Sequence, residues 1–384
     1  MLTLDRYSAF ADADTDSFLS ALPAAAAVVQ IEPRPELSGA RPLLLRTADL
    51  RRRMRLLLGP REPDPSSRRV HLAGYAAGIR FRLTGSPLEQ SLVHYQNARL
   101  LWPRDYRKRM RLRSPALIRF SQASAYPRAY VTRRASAGGG VCFGPFASRR
   151  SAEAFLESFL DLYHLRRCQI KILRDPSFPG CIYSEMKKCL APCFAGCSDE
   201  EYAAESARAV AFLETQGASA IAALEHAREQ ASASLEFERA AILHHDLDKA
   251  AAARRGIPEI AHTVRNLNAV ILQRGGEQGT IAVFLTRAGR ISDPFLLRFA
   301  ELAGQPRSVE EILRAELETA PPDGAAATSV DLEDHLAILA RWFYARPRRG
   351  EIFFAEAGPR GWPYRRMLRA CSRLLQPGED AAEH

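Results

Sequence analysis

Residues 165–197 read LRRCQIKILRDPSFPGCIYSEMKKCLAPCFAGC. Cys168, Cys181, Cys189 and Cys193 are separated by 12, 7 and 3 residues, and Cys197 adds another gap of 3. Six of the 7 cysteines of the chain fall between positions 142 and 197. Thiolates are metal ligands, and the cations around these cysteines (Arg166, Arg167, Lys171, Lys187, Lys188) lower thiol pKa values. Four thiolates close a tetrahedral zinc site or hold an iron–sulfur cluster. The paired CxxC of a zinc ribbon is missing, so spacing leaves the choice of metal open. The plainer alternative, that these are small buried hydrophobes, fits such crowding poorly. It suits Cys142, beside Phe143-Gly144-Pro145-Phe146, and Cys371, alone in a helical pattern.

Clustered cysteines bind metal more often where thiols stay reduced. The first residues, MLTLDRYSAFADADTD, carry acids where a signal peptide carries basic residues, and no apolar run reaches 18 residues. A cytoplasmic protein without a membrane segment is expected. With 47% hydrophobic and 26% charged residues, wholesale disorder and fibrous repeats are excluded.

The net charge of +10 is uneven. Residues 41–134 hold 22 Lys plus Arg against 5 Asp plus Glu, and the remainder of the chain is at −7. The densest runs hold Arg51, Arg52, Arg53 and Arg55, then Arg104, Arg107, Lys108, Arg109 and Arg111. Such a field draws polyanions, nucleic acid foremost, and the planar guanidinium fork suits phosphate. These residues other than Arg53 are the candidate DNA contacts.

The pattern of elements is α+β. Ala27–Ile31 and Pro42–Leu45 are short apolar runs; Asp49 caps a helix over 50–58; Ile79–Leu83 alternates; a helix follows over 87–101. Tyr130–Thr132 reads as a strand, 137–140 as a glycine turn, and Ser148 caps a helix running to about His164. Residues 199–255 are Ala/Glu-rich without proline, a helical hairpin broken at Gln216-Gly217. Ala269–Leu272 and Ile281–Leu285 flank Gly275-Gly276-Glu277-Gln278-Gly279, a hairpin signal. Two helices and the strand Glu351–Phe354 come next, with a linker over 319–330.

The motifs Phe143-Gly144-Pro145-Phe146-Ala147-Ser148, Leu165-Arg166-Arg167-Cys168, Cys181-Ile182-Tyr183 and Lys187-Lys188-Cys189-Leu190-Ala191-Pro192-Cys193 resemble the UvrC family, the incision component of the excinuclease in bacterial nucleotide excision repair. The resemblance implies that Cys168, Cys181, Cys189 and Cys193 hold a four-iron four-sulfur (4Fe–4S) cluster, which moves the preference away from zinc. It implies four regions: a GIY-YIG-type αβ nuclease domain over 1–110, a cysteine-rich segment over 111–198, a helical hairpin of the UVR type over 199–258, and a partial RNase H-like αβ domain over 259–384. Ala231–Leu243 resembles the helical motif that docks on UvrB, the family's partner subunit in the excinuclease, with Leu235, Phe237, Glu238, Ala240, Ala241 and Leu243 as contacts. Phe237, Ala240, Ala241 and Leu247 form one apolar stripe at helical spacing. His244-His245 stand where the family usually has Arg-Asp.

The nuclease of that family uses tyrosines to activate water, a glutamate to hold a divalent metal, and an arginine to stabilise charge at phosphate. Asp49-Leu50-Arg51-Arg52-Arg53 resembles its arginine motif, so Arg53 matches the catalytic arginine. No Gly-Ile-Tyr lies near Val28-Val29-Gln30, and neither Tyr nor Gly lies in Leu43-Leu44-Leu45-Arg46. Glu89 matches the first glutamate of the following helix; the metal-binding glutamate falls on His94, and the family's Asn on Tyr106. One histidine does not replace a hard oxygen ligand for magnesium. Magnesium is implied only if this centre is active. By the same resemblance the chain stops before the carboxylates of the RNase H-like centre and before a helix-hairpin-helix tail, a truncated relative. The expectation is a DNA-binding protein that docks on UvrB with impaired incision. The alternatives are an active incision enzyme and a cysteine-metal, nucleic-acid-binding regulator outside repair.

Overall fold

A computed structural model of the chain describes residues 2–60, 70–122, 124–135, 139–302, 307–319, 329–355 and 361–376. It is a mixture of helices and antiparallel sheets, the α+β class expected. Most of the polar loop over 61–70 and of the linker over 319–330, and residues 137–138 of the glycine turn over 137–140, lie outside the described residues.

The first region runs β1 (Arg6–Ala9), α1 (Thr15–Ala21), β2 (Ala27–Pro33), β3 (Leu43–Thr47), α2 (Leu50–Leu58), β4 (Ala76–Leu83), α3 (Pro87–Leu101) and α4 (Tyr106–Arg109). Its strands form one antiparallel sheet in the order β1–β4–β2–β3. β2 lacks apolar alternation because both its faces are covered. Ala27, Val29 and Ile31 pack with Leu19, Leu22, Leu50 and Met54 of α1 and α2. Val28, with Leu44 of β3, joins Leu88 and Leu92 of α3. Helices α2 and α3 therefore lie on opposite faces of the sheet. Asp49 Oδ1 accepts the Arg52 N–H at 2.8 Å, the N-cap the sequence predicts. Leu50, Met54, Leu57 and Leu58 make the buried stripe of α2, which turns Arg52, Arg53 and Arg55 to solvent.

The second region comprises β5 (Ala116–Ser121), β6 (Ala129–Thr132), β7 (Gly140–Phe146), α5 (Arg149–Leu160), α6 (Ile182–Glu185), α7 (Asp199–Glu214), α8 (Ala218–Ala233), α9 (Phe237–Arg255) and β8 (His262–Thr263). The sheet order is β6–β5–β7–β8. An aromatic column fills its core: Phe143 on Phe155 at 5.6 Å, Phe155 on Phe159 at 6.1 Å and Phe159 on Phe212 at 5.6 Å. Such pairs add about 0.5–1.5 kcal/mol each beyond burial. α5 ends at Leu160, short of His164, where Tyr163 and Leu165 turn into the core instead. The expected hairpin over 199–255 is three helices. Gly217 makes the first break at φ +85°, as expected, and Leu235 makes a second at φ +59°, which neither glycine nor proline announces.

The third region comprises β9 (Ala269–Arg274), β10 (Thr280–Arg287), β11 (Arg290–Ile291), β12 (Phe295–Arg298), α10 (Phe299–Leu302), α11 (Val309–Thr319), α12 (Ser329–Phe343), β13 (Glu351–Phe354) and α13 (Tyr364–Leu375). Its sheet runs β11–β10–β9–β13, with β12 also on β10. The β9–β10 hairpin is the one the sequence predicts.

One core joins the first and third regions. Leu88, Leu92, Val93 and Tyr95 of α3 share it with Leu336, Ile338, Leu339 and Trp342 of α12. At this seam Asp334 is fully buried and accepts from Tyr106 Oη at 2.5 Å, Tyr95 Oη at 3.2 Å and Arg107 Nε at 2.6 Å. Arg107 also reaches Glu333 at 3.4 Å, and Arg99 pairs with Asp331. A second attachment lies just before α3. A methyl group on Gly85 would stand 1.9 Å from the carbonyl carbon of Gly275 in the β9–β10 turn, so the two backbones touch there.

Candidate functional site

Of the four predicted cysteines, Cys189 lies within electrostatic reach of the other three. They sit on loops held by ordinary hydrogen bonds. Leu190 N–H donates to His164 O at 2.9 Å, Asp175 N–H donates to Cys193 O at 2.9 Å, and Arg166 reaches Ile170 O at 2.8 Å. Lys188 and Arg167 share Asp161, at 3.0 and 2.7 Å. The tight chain reversals put Lys187, Ala191 and Ala195 at φ +54°, +55° and +58°. Burial pushes the Cys189 thiol up to about 11 against the pull of the Ala191 N–H, and Cys168, Cys181 and Cys193 push it further. Cys193 is raised by burial and then by Cys181 and Cys168. The fifth cysteine, Cys197, is buried and raised by burial first and by Glu201 next. Among the described residues no group of three or more His, Cys, Asp or Glu side chains is closed to metal-binding geometry. The donor chemistry nevertheless suits a thiophilic metal: mutual repulsion of thiolates is what a bound cation relieves. The Ala191 N–H already points at Cys189 Sγ at 3.3 Å, the kind of bond that tunes a metal-bound sulfur. Cys142 and Cys371 are buried in their strand and helix, as expected of packing residues.

The nuclease-like residues are not gathered. Arg53 is exposed on α2, while His94 is on α3, across the sheet. Arg52 and Arg55 are exposed beside Arg53; Arg51 is half-buried, with Nε donating to Leu22 O at 2.6 Å. Glu89 is buried and caps its own helix, its carboxylate accepting the Gly85 N–H at 2.8 Å while its N–H meets Ser86 Oγ at 3.2 Å. Tyr106 is engaged by Asp334. His94 Nδ1 is buried without a partner. Burial, then Arg46, then Arg341 hold its pKa down to about 4.

The second basic run divides. Arg104, Lys108, Arg109 and Arg111 are exposed, with Arg109 over the Trp102 ring at 4.6 Å. Arg107 is turned inward to Asp334 and Glu333, so its charge is neutralised within the chain. The groups that sequence reasoning passed over are Arg46, Arg341 and Asp334. Period-two alternation put Arg46 on the α3 face with Leu44, but the partners on α12 are more than two hundred residues away.

The predicted docking motif straddles the α8–α9 break. Leu235, Phe237 and Ile242 are 71%, 68% and 64% exposed. Glu238 and Ala241 are also exposed; Ala240 and Leu243 are half-buried. The stripe through Phe237 and Ala241 thus faces solvent. Among the described residues no helix is long and apolar enough to cross a membrane.

This is an α+β protein with a cysteine-bearing central region and an exposed helical motif. The profile of the UvrC/Cho excinuclease middle domain matches residues 116–212, the segment of β5 to α7 and the cysteine loops. UvrABC system protein C of Moorella thermoacetica is 25% identical over 317 residues, covering 80% of this chain and 50% of that protein. That of Dehalococcoides mccartyi is 27% identical over 243 residues, covering 62% and 39%. That of Chlamydia abortus is 31% identical over 169 residues, covering 44% and 28%. The chain is a relative of the UvrC family. It spans half or less of the length of these relatives. No solved structure matches it significantly.

Proposed function

We propose that the chain serves bacterial nucleotide excision repair as a DNA-binding protein that docks on UvrB and has lost most of its incision chemistry. The observation that carries this reading is the Leu235–Phe237–Ile242 surface. Large apolar side chains this exposed, on a hairpin with alanines between them, suit a partner helix better than solvent. DNA is the polyanion that the relatives' role and the exposed Arg52, Arg53, Arg55, Arg104, Lys108, Arg109 and Arg111 favour. Impaired incision follows from the side chains themselves. The position read as metal ligand is His94, in the field of Arg46 and Arg341, where a divalent cation is repelled. No tyrosine stands at either expected motif on β2 and β3.

The first region suits a GIY-YIG-like remnant, the α8–α9 hairpin a UVR-type module, and the β9–β10 sheet with α12 part of an RNase H-like domain. Cys168, Cys181, Cys189 and Cys193 are the residues that would hold an iron–sulfur cluster, with zinc as the alternative. The metal bound there would cross-link four loop positions and lower the thiol pKa values. Lys188 and Arg167, tied to Asp161, keep the entering loop in place.

An incision assay on damaged duplex with UvrA, UvrB and Mg²⁺ tests the catalytic part: no cutting by folded protein is expected, and cutting would restore the reading as an active incision enzyme. Phe237→Ala is expected to weaken capture of UvrB with no change in melting temperature, and unaltered capture counts against docking. Anaerobic purification should give brown protein with iron and sulfide; colourless protein with one zinc per chain defeats the cluster.

A further inference from the structure

Two arginines act on α3 with no carboxylate partner among the described residues. Arg46 leaves β3 on the face that packs against α3, and its Nη1 donates to Ser91 Oγ at 3.2 Å. Ser91 and His94 are one turn apart on the same side of α3. From α12, Arg341 donates to Arg111 O at 2.5 Å and to Met110 O at 3.5 Å, which fixes its stem against the loop after α4. Arg46 and Arg341 are exposed as whole residues, and His94 is half-buried. Among the described residues neither arginine has a carboxylate partner, whereas Arg99 and Arg107 on the same seam both do. Burial and Arg341 depress Arg46, and both arginines depress His94, so the three groups share one field. A concentration of positive charge that the described residues leave unneutralised attracts anions.

We propose that Arg46, Arg341 and the His94 face of α3 form a binding site for a phosphate group. Two planar forks approaching from different elements can take separate oxygens of one tetrahedral anion, which a flat carboxylate uses less well. Ser91 Oγ and the one ring N–H of neutral His94 can complete the ring of donors. The main-chain carbonyl of Arg111 that anchors Arg341 belongs to the loop carrying Arg104, Lys108, Arg109 and Arg111. The site therefore stands beside an exposed basic track, which favours the phosphodiester of a nucleic acid over a free phosphate ester. This choice of source rests on the DNA-binding reading above; the phosphate site itself does not.

The test uses the full chain with two probes, a single-stranded oligonucleotide across a salt series and inorganic phosphate followed by ³¹P line broadening. For a backbone phosphate, Arg46→Gln/Arg341→Gln weakens oligonucleotide binding about tenfold and reduces the slope of log affinity against log salt by roughly 1. Single His94→Glu sets a carboxylate between the guanidiniums and should do the same while melting no lower than wild type, which guards against a double variant that fails to fold. If phosphate broadening is lost in His94→Glu while the oligonucleotide slope holds, the site stands and its ligand is a free phosphate. If the wild type binds no oligonucleotide, the DNA reading fails and the phosphate arm still decides the site. Folded variants with both signals unchanged overturn the proposal.

Discussion

At one end of the α3–α12 seam, Arg99 and Arg107 meet Asp331, Glu333 and Asp334; at the other, Arg46 and Arg341 act on His94 with no carboxylate partner among the described residues. The residue type is the same and its task is opposite. Where the chain supplies the counter-charge, arginine holds two regions together. Where it supplies none, arginine keeps its affinity for something outside. A basic run in a sequence is therefore a mixture of clamps and ligand contacts, and only the partners across space sort them.

The largest blow to this contrast should come from Asp334→Ala. It strands Arg107 and the hydroxyls of Tyr95 and Tyr106 at a buried point, at a cost of about 3–5 kcal/mol. The urea midpoint reads it, and a loss near zero would mean that the clamp end is no clamp. Acid should come next. His94 and His335 are both held near 4 by burial, against an ordinary value of 6.5, and the folded chain thus keeps them neutral where the unfolded chain binds protons. Their contribution is full above pH about 6.5 and declines as pH falls toward 4. His94→Gln should flatten part of that decline, seen in melting temperature against pH.

A smaller, paired effect distinguishes two arginines of the basic region. Arg107→Gln should lower stability by about 1–3 kcal/mol through its lost charged hydrogen bonds and leave the salt dependence of DNA binding alone. Arg53→Gln should do the reverse, reducing the salt slope by roughly 1 at constant stability. Equal behaviour of the two would dissolve the distinction. Least of all in energy, His94→Glu should raise stability by about 0.2–1 kcal/mol by pairing with the arginines around it, measured as a small rise in melting temperature.

Local chemistry was legible in the sequence. Asp49 and Ser148 cap the helices they precede, and the apolar runs become β2, β3, β9 and β10. Strand β1, with the sequence Arg-Tyr-Ser-Ala and a largely exposed edge position, carries no apolar signature. The break at Leu235 was hidden because a leucine there takes a conformation that glycine usually supplies. The sorting of the arginines was hidden for another reason. Asp334 follows Tyr106 by 228 positions, and no periodicity in either segment records that pairing.

Gly85 carries a mechanical consequence. Contact at its α-carbon and the α3–α12 seam are two separate fastenings between the first and third regions. One fastening would let the regions pivot; two remove that rotation. Surfaces on either region then keep a fixed angle, so a long, stiff ligand that touches both meets a gauge rather than a jaw.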